Sequence, residues 1–289
     1  MGADVTELLP FRTSLVSFLN GLISQKQRRS ASPLPAEPII LLPAILQQSV
    51  ELPRYVRVNT LKVTVQEALD HFTNANFLLS SPPADPSSLL GQKAFWEDRD
   101  LPEVLVFPFG TDLHDDLWVT EGKLVLQDKA SCLSAFVLLE DSQPAERITE
   151  SSPQRHCNVI DACAAPGNKT THAAALMGRH SHGHQLFAVD KDDKRILLLK
   201  EFTQKAGAPV RVLHQSFLDI DPAHHPQLGH ITHLMVDPSC SGSGIVSRLD
   251  SLINMNGFTT QRKEQLAKFQ KTILCHAMSC KEWARLMEF

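Results

Sequence analysis

CNVIDACAAPGNKTTHAAALM, residues 157–177, decides the fold. An apolar run ends at Asp161, crosses a Pro-Gly turn at Pro166 and Gly167, and passes into alanine-rich sequence of helical character. A strand, a tight turn and a helix in that order open a βαβ unit. The pattern repeats downstream. QLFAVDKD (185–192) reads as a second apolar strand, followed by a helix through DDKRILLLKEFTQKAGA (192–208). RVLHQSF (211–217) is the third strand and HITHLMVDPSC (230–240) the fourth. Near-continuous apolar strands alternating with helices predict a parallel sheet covered on both faces.

The chain before this unit is organised differently. In RYVRVNTLKVTVQEALDHF (54–72), Val56 and Val58 alternate with Arg57 and Asn59, as in a half-buried strand. Thr64 stands three residues before Glu67, a capping-box signal for a helix carrying Ala68, Leu69 and Phe72. Residues 80–100 read as loop, and LPEVLVFPFG (101–110) as another strand. LQDKASCLSAFVLLE (126–140) places Cys132, Ala135, Phe136 and Leu139 at helical spacing. The polar DSQPAERITESSPQRH (141–156), with two prolines, marks a boundary, and QKQRRSASPLPAEP (25–38) marks a linker after an amphipathic N-terminal segment.

Composition narrows the class. With 43% hydrophobic and 21% charged residues, the 289-residue chain is that of a globular protein, and no apolar run reaches transmembrane length. No basic-then-apolar leader is present, so an intracellular protein is expected. None of the six cysteines forms a C-x-x-C pair, which predicts reduced thiols. The histidines at 180, 182, 184, 224 and 225 are not interleaved with cysteines or carboxylates at ligand spacing, and read as solvated loop residues rather than a metal site. The net charge of −4 hides an asymmetry: residues 1–152 hold 12 Lys+Arg against 20 Asp+Glu, and residues 153–289 hold 16 against 12. The half with the βαβ pattern is therefore the positive one, which permits contact with a phosphate backbone.

Three strand ends carry candidate chemistry. In DACAAPGNKT (161–170) the small Ala162, Ala164, Ala165 and Gly167 allow a ligand close to the backbone, and the helix N-terminus that follows favours negative charge. One glycine makes it neither a dinucleotide fingerprint nor a P-loop. Asp190 lies 29 residues after Asp161, placing a ribose-binding carboxylate on the same sheet edge, a spacing that suits S-adenosylmethionine (SAM) or a nicotinamide dinucleotide equally. DPSCSGSG (237–244) brings Asp237 and Cys240 into a Gly/Ser loop, where a thiol can serve as nucleophile or proton-transfer group.

LQDKAS, DACAAPGNKT, AVDKDDKR (188–195) and DPSCSGSG follow one another as in the Sun/RsmB-type RNA (cytosine-5) methyltransferases, which this chain resembles over about residues 50–277. RYVRVNTLK (54–62) is similar to that family's small RNA-recognition-like module. Asn168, FPFGTDLH (107–114) and DPSCSGSG resemble the fifth Sun-domain branch, which acts on large-subunit ribosomal RNA. The resemblance implies an α/β, class I SAM-methyltransferase (Rossmann-like) sheet with helices on both faces, preceded by a small α+β module. It also implies SAM as cofactor, RNA as substrate, assembling ribosomal particles as partners and a nucleolar location, with no membrane. Cys163, Ala164, Ala165, Pro166, Gly167, Asn168 and Lys169 would hold the methionine end of SAM, Asp190 the ribose, and Arg195 would lie near the adenosine. Asp237 would place cofactor and base, and Cys240 would assist loss of the C5 proton. The expected division is 1–38 helical segment and linker, 39–118 RNA-binding module, and 119–289 methyltransferase domain.

Two departures are visible. The family's attacking cysteine lies in a Thr-Cys-Ser motif on the next strand, whereas this chain runs MSCKEWARLMEF (278–289), with Ser279–Cys280 a poor substitute. The expectation is a charged tail in place of that strand, a chain cut short before its nucleophile, and an unpaired apolar edge along HITHLMVDPS. Ser216 stands where the family puts an acidic residue toward the adenine amino group; its hydroxyl can still accept that hydrogen bond and is expected to bind the cofactor, with Asp219 or Asp221 to compensate. RNA contacts are expected from the N-terminal module and from Arg248, Arg262, Lys263, Lys268 and Lys271. Two rival readings remain: a SAM- or RNA-binding form without turnover, and a nicotinamide-dependent oxidoreductase.

Overall fold

The computed structural model describes residues 52–83, 91–139, 157–178, 184–221, 224–225, 228, 231–240, 260–279 and 285–288. The N-terminal segment and linker, the boundary at 141–156, and Arg248 lie outside the described residues. Those described fall in one compact unit. No helix among them is long and apolar enough to cross a membrane.

The first sheet has the order β2-β3-β4-β1-β5, with β1 Arg54–Val58, β2 Leu78–Leu79, β3 Ala94–Glu97, β4 Val104–Phe107 and β5 Leu124–Leu126. Helix α1, Val65–Asn74, starts at the foreseen capping box: the Thr64 side chain accepts from Glu67 N while Glu67 reaches back to Thr64 N at 2.7 Å. Its Phe72 packs into the sheet with Val56, Val58, Phe95, Leu105 and Phe107. A short helix α2, Leu117–Thr120, leads into β5. Two sequence expectations change here. The stretch read as loop contains β3, whose AFWE is too short to show a period. The module also runs past residue 118, because β5 pairs antiparallel with β1.

The second sheet is wholly parallel, with β6 Asn158–Asp161, β7 Gln185–Asp190, β8 Arg211–His214, β9 His233–Val236 and β10 Arg285–Glu288 in the order β10-β9-β6-β7-β8. Helices α3 Lys129–Leu139, α4 Asn168–Met177, α5 Asp193–Ala206 and α6 Thr260–Ser279 accompany it. The strand order reverses at β6, which lies between β7 and β9, and a parallel sheet opens a crevice beyond its strand ends at such a point. β10 overturns the expectation of a bare edge. Arg285–Glu288 pairs in register with His233–Val236, so the backbone of β9 is bonded on both sides. Four residues among charged neighbours gave no strand signal; β9 recruits them through backbone hydrogen bonds, which need no side-chain pattern.

The half-buried reading of β1 also fails. Arg57 and Asn59 are as buried as Val56 and Val58, at 0% exposure. Their face of the strand is covered by the helices of the parallel sheet. Asn59 Nδ2 donates to Gly122 O and Ala206 O, each at 2.8 Å. Glu103 and His172 meet at 2.7 Å with neither side chain more than 1% exposed. Buried polar groups of this kind require partners, and Ala206 and His172 supply them from the opposite module.

Candidate active site

Asp161, Asp190 and Asp237 terminate or follow β6, β7 and β9, and so converge on one edge of the parallel sheet. Asp161 is buried, and its Oδ2 accepts from Thr170 Oγ1 at 2.7 Å. Its Oδ1 has no partner among the described residues. Burial, more than the nearby Asp237 charge, raises its pKa to about 7. Asp190, also buried, accepts from Asp192 N at 3.1 Å and Ala165 N at 3.3 Å. A carboxylate has about four acceptor positions, so capacity for further donors remains.

The turn between β6 and α4 holds Ala162, Ala164 and Ala165 in the core, with Pro166 exposed. Gly167 caps α4 with φ 115° and no side-chain hydrogen bond. A Cβ there would sit 3.1 Å from Leu199 Cδ1 and 3.2 Å from Phe202 Cδ1, so this glycine serves the approach of α5 as well as the left-handed turn. The Cys163 thiol is half-buried in that core, and burial pushes its pKa up to about 12, which makes it a poor nucleophile. The Asn168 carbonyl accepts from Arg57 Nη2 at 3.4 Å, which ties the turn to β1.

Across the crevice, Lys169 Nζ donates to Asp237 Oδ2 at 2.8 Å and to Ser131 Oγ at 3.0 Å. Cys240 is exposed, three residues beyond Asp237. Arg195 spans the same opening: one guanidinium nitrogen donates to Ser239 Oγ at 3.1 Å, and the other meets the Ala165 carbonyl and Asp190 Oδ2. Gln270 of α6 holds the Ser239 carbonyl at 3.1 Å. Ser216 follows β8, whose His214 pairs with Asp190, and it caps the 3₁₀ turn Phe217–Asp219 through an Oγ that accepts from Leu218 N at 3.3 Å. Asp221 contacts His224 at 2.6 Å on the surface. Among the described residues no group of three or more His, Cys, Asp or Glu could hold a metal ion.

Two family profiles match successive parts of the chain. The profile described as NOL1/NOP2/Sun domain family member 5, ferredoxin-like domain, matches residues 52–127. That described as 16S rRNA methyltransferase RsmB/F matches residues 149–282. The chain belongs to the NOL1/NOP2/Sun (RsmB/F) methyltransferase family.

Curated members of the family include the mouse 28S rRNA (cytosine-C(5))-methyltransferase, 39% identical over 83% of this chain and 49% of its own length. The 25S rRNA (cytosine-C(5))-methyltransferase rcm1 of Schizosaccharomyces pombe is 37% identical over 81% of this chain and 46% of its own. The chain thus spans about half the length of the curated relatives it matches. The solved structure of NSun6 from Pyrococcus horikoshii shares the fold, with TM-score 0.54 and 18% identity over 82% of this chain and 75% of the other.

Of the residues expected at the candidate site, the structure brings together Ala164, Ala165, Lys169, Asp190, Arg195 and Asp237 through direct contacts or adjoining turns, with Cys240 just beyond. Sequence reasoning missed Ser131, Thr170 and Gln270, and used Asp161 only as a distance marker. Ser131 lay in the LQDKAS motif and Thr170 in DACAAPGNKT, so motif membership was the available signal; Gln270 had none. Ser279 ends α6, and β10 begins level with His233, at the far end of β9 from Asp237. Cys280 lies outside the described residues.

Proposed function

We propose that this chain provides the SAM- and RNA-binding framework for methylation of cytosine C5 in large-subunit ribosomal RNA. The observation that carries the reading is the Lys169–Asp237 pair at the strand-end crevice, three residues from Cys240 and flanked by Asp190. The residues present suit SAM. The uncapped N-terminus of α4 and the Ala164–Gly167 turn favour its carboxylate, and Asp190 has acceptor capacity for ribose hydroxyls. The unpaired Asp161 Oδ1 adds a buried acceptor at the same strand ends. When bound, SAM supplies an electrophilic methyl group.

The protein's own groups act around that methyl. Asp237, its charge met by Lys169, is placed to hold the amino edge of a cytosine. Cys240, exposed beside it, is the group to take the C5 proton after transfer. Attack at C6 needs a thiolate, because addition there makes C5 nucleophilic. β10, the strand beside β9, reads Arg-Leu-Met-Glu and contains no cysteine. That observation favours a second reading, a form that binds SAM and RNA without turnover. The likeness to 28S and 25S rRNA enzymes supports a nucleolar setting and contact with assembling ribosomal particles.

The test is transfer of isotope-labelled methyl from SAM to cytosine C5 in large-subunit rRNA, with SAM binding measured calorimetrically alongside. Incorporation that Cys240→Ala abolishes supports turnover. Binding of SAM and RNA without incorporation leaves the second reading, and absence of SAM binding overturns both.

A further inference from the structure

The face of the first sheet turned away from α1 is partly covered by α3, whose Cys132, Leu133 and Phe136 pack on Leu101 and Val104. Beside this contact a cavity of about 240 Å³ opens. Its floor is a single cross-strand row: Tyr55 of β1 pairs with Val106 of β4, which pairs with Trp96 of β3. Tyr55 is half-buried, whereas Val106 and Trp96 are 3% and 5% exposed, so the ring surface open to the cavity is that of Tyr55, backed by the other two. The polar wall is formed by Asp98, Arg99, Asp100 and Lys129.

The volume falls below the roughly 300–1,000 Å³ of pockets that enclose drug-sized ligands, and suits one planar group. Asp98 is already occupied, accepting from Asp100 N at 2.9 Å, Leu101 N at 3.1 Å and Lys129 Nζ at 2.8 Å. Asp100 also contacts Lys129, but its side chain is 66% exposed and keeps acceptor capacity. An aromatic floor with a carboxylate and a cation at the rim complements a nucleobase that offers both an amino donor and a ring acceptor. Adenine, cytosine and guanine meet that rim with an exocyclic amine beside a ring acceptor, whereas uracil can meet it only through its N3–H and a carbonyl.

Position links the cavity to the site already described. Lys129 opens α3 and lines the cavity, while Ser131, two residues on, accepts from the Lys169 that pairs with Asp237. The first turn of one helix therefore touches both places. We propose that the cavity is a subsite for one unpaired base flanking the target cytosine, selective for bases that carry an exocyclic amino group. The subsite rests on the RNA reading above and adds to it a sequence preference outside the reacting base.

The experiment uses the full chain and short fluorescein-labelled oligouridylates with a central cytosine flanked by either adenosines or uridines, read by anisotropy. The wild type binds the adenosine-flanked RNA more tightly. Tyr55→Leu weakens that binding about tenfold, in the range of one lost base–aromatic stack. Asp100→Ala, which removes the acceptor altogether, abolishes the preference for adenosine, and Arg99→Ala weakens both RNAs. SAM affinity and melting temperature, measured on each variant, stay at wild-type values for the two exposed positions, whose effect on the preference then decides the matter even if Tyr55→Leu is destabilised. Equal binding of both RNAs by the wild type, or wild-type behaviour in all variants, overturns the subsite and leaves the cavity to another ligand class, such as a protein segment. A wild-type chain that binds neither RNA overturns the RNA reading itself.

Discussion

Replacing Arg57 by alanine tests whether the two modules are joined by a buried, charged connection. The guanidinium has 0% exposure and donates from Nε to Gln127 Oε1 at 2.9 Å and from Nη2 to Thr171 Oγ1 at 3.0 Å. Glu103 supplies a favourable carboxylate charge. Nη1 and Gln127 Nε2 find no partner among the described residues, so the cluster already sits near the limit of what burial tolerates. Removing the guanidinium leaves Gln127 Oε1 without its donor and deprives the buried Glu103 of a favourable charge, which costs about 3–5 kcal/mol. At roughly 2–4 °C per kcal/mol for a domain of this size, the melting temperature should fall by roughly 6–20 °C. Burial pushes the Arg57 pKa down to about 10 from 12.5. The folded state then binds fewer protons than the unfolded one only above about pH 10, so stability rises with pH there and Arg57 adds no slope between pH 5 and 9. Urea denaturation and calorimetry of Arg57→Ala, with the exposed Arg99→Ala as control, provide the assay. A loss within about 0.5 kcal/mol, the size of an ordinary surface substitution, would refute the account of a buried polar seam.

The raised pKa of Asp161, about 7 against 3.8 unfolded, means the folded state binds the extra proton between those values. Stability should therefore fall as pH rises from about 4 to 7, by up to about 4 kcal/mol, and Asp161→Asn should flatten that part of a urea-midpoint profile. Cys132 and Cys163, both pushed up to about 12 by burial, should resist alkylation at pH 8, while the exposed Cys240 and Cys275 are labelled first; peptide mass spectrometry gives the order. Gly122 has φ +71°, and a Cβ there would lie 2.7 Å from the Lys205 carbonyl oxygen. Gly122→Ala should cost at least about 1 kcal/mol, read as a lowered urea midpoint.

Local signals in the sequence located most of the elements and the strand ends that carry the candidate site. The Pro-Gly turn after Asp161, the Thr64–Glu67 capping box and the apolar strands of 158–161, 185–190 and 233–236 each act within a few residues, so their meaning survives without knowledge of the fold. The spacing of Asp161 and Asp190 likewise followed from the length of one βαβ unit. RLME at 285–288 becomes a strand because β9 offers an edge, and nothing within those four residues says so. Arg57 and Asn59 alternate with valines as solvent-facing residues would, yet carbonyls and hydroxyls contributed from residues 111 to 147 positions away make their burial tolerable. The sequence by itself determined the parallel α/β unit, its strand-end carboxylates and the preceding α+β module, since periodicity and turn chemistry are short-range. Tertiary structure alone decided which polar face of β1 is buried, what closes the edge of β9 and which side chains meet Lys169, since each depends on partners that only the folded chain brings within hydrogen-bond reach.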